Sequence, residues 1–412
     1  MLKIAYISYE YTPDIGQGGI ATYISHISRA MLQLGHYVEI FSGSPLRECS
    51  EIYNDVLTHR ILCKNPGEFR ENVVSKFEER HKVVSFDAFE CAEINADGAY
   101  IKDRFPNLPL VVKLHAPTYL LIKLLNNHTS LVSKMRFLLG NLRQGIWRPW
   151  GKPDLSRDKD YIFTSKADIL LSPSKSLKKI IAQDWRIPLN QINVIPNPYE
   201  PSSQTLSIPI NRSYKIGANI NILFIGKLNI QKGGLLLADL IPNVLNSFNN
   251  VNFTLVGGDG PSHLKGITMQ SYLKQRIVDH DRVYFAGAVN LDEVPRFLSK
   301  SDIVIIPSLW ENFPYVCLEA MSAGRAIIGS KNGGMSEMLA NGAGILVSVN
   351  GYKELIKALE LLISNPNKRI ELGERAREVV LKEYNLQKVG KQLEGLLTKT
   401  FNKELYEGSN MH

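Results

Sequence analysis

The sequence predicts an α/β protein of two domains built alike. Three observations carry that expectation. Short apolar runs closed by glycine or proline alternate with longer stretches of helical periodicity, the pattern of strands joined by crossover helices. The alternation occurs twice, before and after a stretch rich in proline and polar residues. At 412 residues, 44% hydrophobic and 21% charged, the chain is too long for a single core.

Lys3 to Ser8 is a first apolar strand, followed by the loop Tyr9 to Gly19, a helix over Ile20 to Leu34 that Gly35 stops, and a strand over Val38 to Ser42. That opening is a βαβ unit, which right-handed crossover makes parallel. Val83 to Phe86, Leu110 to Leu114, Ile169 to Pro173 and Ile192 to Pro196 have the composition of further strands. Pro196, Pro198, Pro201 and the polar stretch to Asn219 mark a linker. A second series follows: Ile222 to Ile225, Asn252 to Val256, Val283 to Ala286, Ile303 to Pro307, Ala326 to Gly329 and Gly344 to Val347. Helical periodicity then runs from Leu355 to Phe401, broken at Pro366. The expected division is a first Rossmann-like domain over 1–200, a linker over 201–219, a second over 220–385, and a helical tail over 386–412 that packs back toward the first domain.

Several classes are excluded. No apolar run approaches the ~18 residues of a spanning helix, and the chain opens directly on strand and helix patterns, so a cytoplasmic protein is expected. Cys49, Cys63, Cys91 and Cys317 show no CxxC pair, which suggests neither a disulfide framework nor a zinc site. The net charge is +8, and between Lys113 and Arg186 fourteen Lys and Arg stand against five Asp and Glu. Within 119–150, Tyr119 to Ile122, Leu124, Leu125, Phe137 to Leu139, Ile146, Trp147 and Trp150 interleave with Lys123, Lys134, Arg136, Arg143 and Arg148. Two readings stay open for this segment. One is a surface that lies on anionic lipid at the inner face of a membrane; the other is a solvated basic face over a core helix. No nucleic-acid motif accompanies the charge, so no nucleic-acid partner is expected.

Glu311 and Glu319 are eight positions apart in a strand, loop and helix sequence. Pro314 suits a first helical turn, and Gly324 suits a helix stop. Glu311 falls in the loop beyond a strand's carboxyl end, where open α/β sheets bind ligands, and Glu319 about a turn inside the helix. Other strands of this half also end in charged or glycine-rich loops: Gly226 to Gly234 with Lys227 and Lys232, Gly257 to Pro261, and Gly333-Gly334. Lysines there suit a diphosphate that leaves carrying charge.

Gly16-Gln17-Gly18-Gly19-Ile20-Ala21 matches the dinucleotide spelling GxGxxA, with Glu39 near the ribose-binding distance. A dinucleotide-dependent oxidoreductase is therefore the alternative, although a true fingerprint begins at the strand end and here Tyr9 to Ile15 intervene. The other reading is a loop whose backbone N–H groups approach a phosphate or sugar.

The second half resembles the retaining glycosyltransferases of family 4, relatives of the glycogen synthases. Phe224 to Leu228 with Lys232-Gly233, Leu255 to Pro261, Val283 to Gly287, Ser301-Asp302, Pro307-Ser308, Glu311 through Gly324 as an E-x7-E motif, and Gly333 to Glu337 carry the likeness. Gly18-Gly19, Gly35 to Val38, His115 and Val194 to Asn197 match more loosely. The resemblance implies the GT-B fold, two Rossmann-like α/β domains facing across a cleft. It implies that Glu319 accepts from a nucleotide ribose, that Glu311 faces the donor sugar, and that Lys227 and Lys232 hold the diphosphate. Amides around Asn312, Phe313, Pro314, Tyr315 and Val316, the glycines Gly18, Gly19 and Gly258, and the backbone at Val289 would complete donor binding, with His115 lining the sugar. Pro314, lacking an N–H, and Lys227, in place of a common arginine, depart from the family's pattern. The implied activity is transfer of a hexose-type sugar from a nucleoside-diphosphate donor to a hydroxyl, on a glycan or lipid-linked acceptor. The scheme calls for no cofactor and no metal.

Overall fold

The structure, a computed structural model, describes every residue except 17, 126–130, 144, 146, 148–154, 211–218, 278–280, 350 and 409–412. Ile146, Arg148 and Trp150 of the basic segment and much of the expected linker therefore lie outside the described residues. Contacts divide the chain into two units: Met1–Pro117 with Leu155–Glu200 and Lys382–His412, and Thr118–Asp154 with Pro201–Leu381. Residues 118–154 thus group with the second unit rather than with the rest of 1–200.

The first unit carries strands β1 (Lys3–Ser8), β2 (Tyr37–Ser44), β3 (Cys49–Tyr53), β4 (Val56–Leu62), β5 (Ala88–Ala92), β6 (Leu110–Lys113), β7 (Ile169–Ser172) and β8 (Ile192–Val194). Their order is β3-β4-β2-β1-β5-β6-β7-β8, parallel except for β3 against β4. Winding departs in both directions from the neighbours β1 and β5. Their carboxyl ends open onto the loop 9–18 and onto residues 93–98.

Two expectations fail here. Val83 to Phe86 is not a strand. A helix over Pro66–Val84, begun by the Asn65 side chain accepting from the Glu68 N–H at 3.1 Å, absorbs the first two residues, and Ser85 ends it at φ 56°. The strand begins at Ala88 instead. β3 and β4 are additions, because β4 buries Thr58, His59 and Arg60 and so lacks the apolar run that announces an interior strand. The C-terminal helix Leu386–Gly408 lies on Gly19–Gln33, where Gly390 allows close approach: a Cβ there would stand 2.9 Å from Leu34 Cδ1.

In the second unit β9 (Ile220–Ile225), β10 (Val251–Val256), β11 (Val283–Gly287), β12 (Ile303–Ile306), β13 (Ala326–Ser330) and β14 (Ile345–Val347) form a parallel sheet of order β11-β10-β9-β12-β13-β14. One face packs Ile222, Phe224, Phe253 and Leu255 under Leu237, Ile241, Leu273 and Leu359. Strand order reverses between β9 and β12, and at such a reversal the flanking loops diverge and leave a crevice. The loops leaving these two strands are those of Lys227 and Lys232 and of Glu311.

Candidate active site

The two loops meet because glycine lets them. Gly233 sits at φ +87°, where a Cβ would stand 2.3 Å from Pro307 O, and the Leu309 N–H donates to Gln231 O at 2.8 Å. This close approach brings Lys232 Nζ to 2.6 Å from Glu311 Oε1. Ser308 Oγ donates to the same oxygen at 2.7 Å. The Gly333-Gly334 turn supports Glu311 through its backbone, with the Gly334 N–H donating to Glu311 O at 2.8 Å. A Cβ at Gly333 would collide with that carbonyl. Glu311, at 8% exposure, is thus a buried carboxylate oriented by a cation and a hydroxyl.

The helix beyond it spans Tyr315–Ser322 and Gly324 closes it at φ +63°. Pro314 is not in its first turn but in the extended position just before it, so the missing proline N–H costs the helix nothing. No side chain caps this end. Asn312, Phe313 and Tyr315 are buried, and Val316 is half-buried. Glu319 is half-buried too; its backbone carbonyl accepts from Ser322 Oγ at 2.9 Å, whereas its carboxylate has no hydrogen bond or ion pair among the described residues. Burial pushes its carboxyl up to about 7. A half-buried acid whose carboxylate has no partner among the described residues keeps its hydrogen-bonding capacity free.

Lys227 is exposed and pairs with no carboxylate among the described residues. Its loop is seated against Gly257 and Gly258: the Leu228 N–H donates to Gly258 O at 2.8 Å, and a Cβ at Gly257 would fall 2.0 Å from Gly226 O. Asp259 is occupied structurally, accepting the N–H groups of Gly260 and Gln270, both at 2.9 Å. Val289, with Ala286, Ala288, Tyr284, Arg296 and Lys300, lines a cavity of about 870 Å³ on the β11 side.

In the first unit Gly18 precedes the helix Gly19–Gln33, which also lacks a side-chain cap. His115 follows β6. Although half-exposed by area, it is so closely surrounded that burial, with the Lys113 charge adding, pushes its imidazole down to about 3. The ring is therefore neutral at physiological pH, able to hydrogen-bond but not to supply charge. Its Tyr23 neighbour stands edge-on at 5.3 Å. Tyr23 in turn donates to Glu90 Oε1 at 2.6 Å and lies 4.9 Å from Lys113 Nζ. Burial raises Glu90 and lowers Lys113.

The sequence reading missed Glu93. It is fully buried, accepts the His115 N–H at 2.9 Å and the Ala116 N–H at 2.8 Å, and fixes the backbone that carries the imidazole. Burial pushes its carboxyl up to about 8. The available signal was two acids, Glu90 and Glu93, in and just after the short apolar run Ala88 to Ala92: charges in an interior strand are costly unless something requires them.

The dinucleotide alternative loses its geometry. β1 ends at Ser8, well before Gly16. Glu39 is fully buried and engaged by His59 Nε2 at 3.0 Å, Arg80 Nη2 at 2.5 Å and Tyr37 Oη at 2.7 Å, which leaves it no reach toward a ribose.

Two family models match successive parts of the chain, one described as glycosyltransferase family 4 over residues 17–203 and one as glycosyl transferases group 1 over 211–379. This chain belongs to glycosyltransferase family 4. An uncharacterised glycosyltransferase of Methanocaldococcus jannaschii is 24% identical over 408 residues, covering 95% of this chain and 96% of that one. A lipopolysaccharide 1,2-N-acetylglucosaminetransferase of Salmonella typhimurium is 25% identical over 251 residues, 57% of this chain and 63% of that one. Among solved structures, a sucrose-phosphate synthase of Thermosynechococcus elongatus superposes with a TM-score of 0.73 over 98% of this chain and 100% of that one, at 18% identity. The fold is GT-B. In this family 4 chain the E-x7-E pair is split by environment: Glu311 is bound and oriented, whereas the Glu319 carboxylate is unpartnered among the described residues.

Proposed function

We propose that the protein is a retaining transferase that moves a hexose-type sugar from a nucleoside-diphosphate donor to a hydroxyl of a lipid-linked or cell-envelope glycan. The observation that carries this reading is the junction of Lys232, Ser308 and Glu311 at the sheet's switch point, beside an uncapped helix start. The bond from the sugar's anomeric carbon to the diphosphate breaks while the acceptor oxygen bonds to that carbon on the same face. The acceptor's proton passes to the departing phosphate. Lys227, Lys232 and the helix amides meet the charge that develops, so the scheme calls for no metal. Glu319 receives ribose hydroxyls, Glu311 faces the sugar, and the backbone at Val289 and Gly258 meets the nucleotide. In the first unit His115 is assigned to the sugar and Gly18-Gly19 to the diphosphate.

The test is nucleotide release from a panel of UDP-, GDP- and ADP-sugars by wild type, Glu311→Ala and Lys232→Ala. One donor should be turned over, with both variants slowed about 10²-fold or more. Undiminished turnover in both variants removes the site assignment.

The lipid side of the proposal rests on helix Leu131–Arg143. Leu131, Met135, Leu139 and Leu142 are 77%, 62%, 53% and 44% exposed. At ~100° per residue they share one stripe, with Lys134 on one flank and Arg136 and Arg143 on the other. An apolar stripe between cations suits an anionic bilayer surface at which the protein would be peripheral. The Salmonella relative, named for a lipopolysaccharide acceptor, supports this choice. Among the described residues no helix is long and apolar enough to cross a membrane. Flotation with anionic vesicles should capture the protein at low salt, and Met135→Glu with Leu139→Glu should release it; no capture of wild type at low salt refutes the membrane contact.

A further inference from the structure

Residues 9–15 make only one isolated bridge, Tyr11 with Ile15, yet charged side chains hold them at three places. Asp97, buried, accepts the Tyr9 N–H at 2.7 Å. Arg60 of β4, fully buried, donates from Nη2 to Thr12 O at 2.8 Å, from Nη1 to Ser42 Oγ at 3.1 Å and to Tyr11 O at 3.5 Å, and from Nε to Glu51 Oε1 at 2.9 Å. Its guanidinium also lies 5.2 Å and 5.0 Å from the ring centres of Tyr11 and Tyr53. Arg47 grips both Asp14 oxygens, at 3.1 and 3.2 Å, and both Glu51 oxygens at 2.9 Å. Asp14, Arg47, Glu51 and Arg60 therefore form a chain of alternating charge from the far end of the loop back into the sheet.

An arginine buried this deeply is costly unless its donors are met, and an aliphatic side chain would pack the same space without that cost. What the guanidinium alone can do is fix two consecutive loop carbonyls in a stretch without ladder bonds. That stretch leads directly into Gly16 at φ +72° and then Gly18-Gly19. We propose that Arg60, Glu51 and Arg47 are positioning residues that hold the loop 9–16, and through it the Gly18-Gly19 start of the first unit's helix, in place to receive an anionic diphosphate. This rests on the transferase reading insofar as that reading supplies the diphosphate. None of the three is assigned a contact with substrate.

Because Arg60 is fully buried, its variants can fail to fold, so the outer links carry the test. Titration with UDP, GDP and ADP is compared for wild type, Arg47→Gln, Asp14→Asn and Arg47→Lys, beside Tm and turnover. Loss of one or two well-placed N–H contacts should raise the Kd of the preferred diphosphate about five- to tenfold in the first two variants. Tm should stay within about 3 °C, and Arg47→Lys should recover part of the affinity. An unchanged Kd overturns the proposal, as does a Kd that rises only in step with a falling Tm. Wild type that binds a diphosphate but transfers no sugar overturns the transferase reading alone, since the Kd shift still supports the brace. Wild type that binds none of the three overturns both.

Discussion

The two sheets are wound alike from a switch point, but they keep their charges in different places. In the first unit Glu39, Arg60, Glu90, Glu93, Asp97 and Lys113 are buried, most of them within or just beyond the strands, and they are spent on the protein's own groups: backbone amides, carbonyls and one another. In the second unit the packed face of the sheet is apolar, and Lys227, Lys232, Glu311 and Glu319 stand beyond the strand ends. The second unit also buries Asp302, Arg325 and Arg369 on backbone groups, but its strands carry no charge and serve as a platform for a few charges at their ends, whereas the first unit buries charge within its strands. Charge within the strands is out of a ligand's reach and positions the protein's own groups, whereas Lys227, Lys232, Glu311 and Glu319 lie past the strand ends, where open α/β sheets bind ligands.

The largest test of this contrast pairs Glu39→Gln with Glu311→Ala. Removing one partner of the buried Glu39 cluster should destabilise by about 3 kcal/mol in urea unfolding, with turnover per folded molecule kept. Glu311→Ala should do the reverse. Equal loss of turnover in both would erase the distinction between the units.

Acidity sharpens it next. Burial raises the Glu39 carboxyl, but the bonds from His59, Arg80 and Tyr37 outweigh it and hold it at about 2. A lowered pKa gives stability that is present above the ordinary carboxylate value and lost as pH falls toward about 2. Glu93 and Glu319 are raised, to about 8 and about 7, so they add stability below the ordinary value that is lost as pH rises through those values. Tm should therefore climb as pH is lowered from above 8 toward the carboxylate range and fall again in stronger acid; a Tm flat across neutral pH would contradict the raised pair.

The smallest effect isolates Glu319. Glu319→Gln removes a half-exposed carboxylate held against its preference, so it should stabilise by about 1 kcal/mol at alkaline pH while weakening nucleotide binding. Thermal melts with and without UDP, GDP or ADP measure both; a destabilised variant with unaltered nucleotide affinity would reverse the assignment.

Legibility followed the same contrast. All six strands of the second unit were visible, within a residue or two at their ends, because each reads as a short apolar run bounded by glycine or proline, and β12 and β13 are buried along their whole length. β4 was invisible because Thr58-His59-Arg60 looks like a surface stretch until Glu39, Glu51 and the loop carbonyls are seen to meet it. Val83 to Phe86 misled for the opposite reason: its two valines end a long, charge-rich helix. Pro314 was misplaced by one position, within the ordinary uncertainty of helix ends.

By itself the sequence determined two α/β series, the glycines where strands open into loops, and the E-x7-E spacing, because these are set by local periodicity and by backbone conformations only glycine tolerates. Tertiary structure alone decided that Lys232 and Ser308 share one Glu311 oxygen, that Glu39 and Arg60 are internal braces, and that Glu93 holds the His115 backbone. Those pairings join residues distant in the chain, and burial, which fixes both their geometry and their protonation, exists only once the sheets have closed.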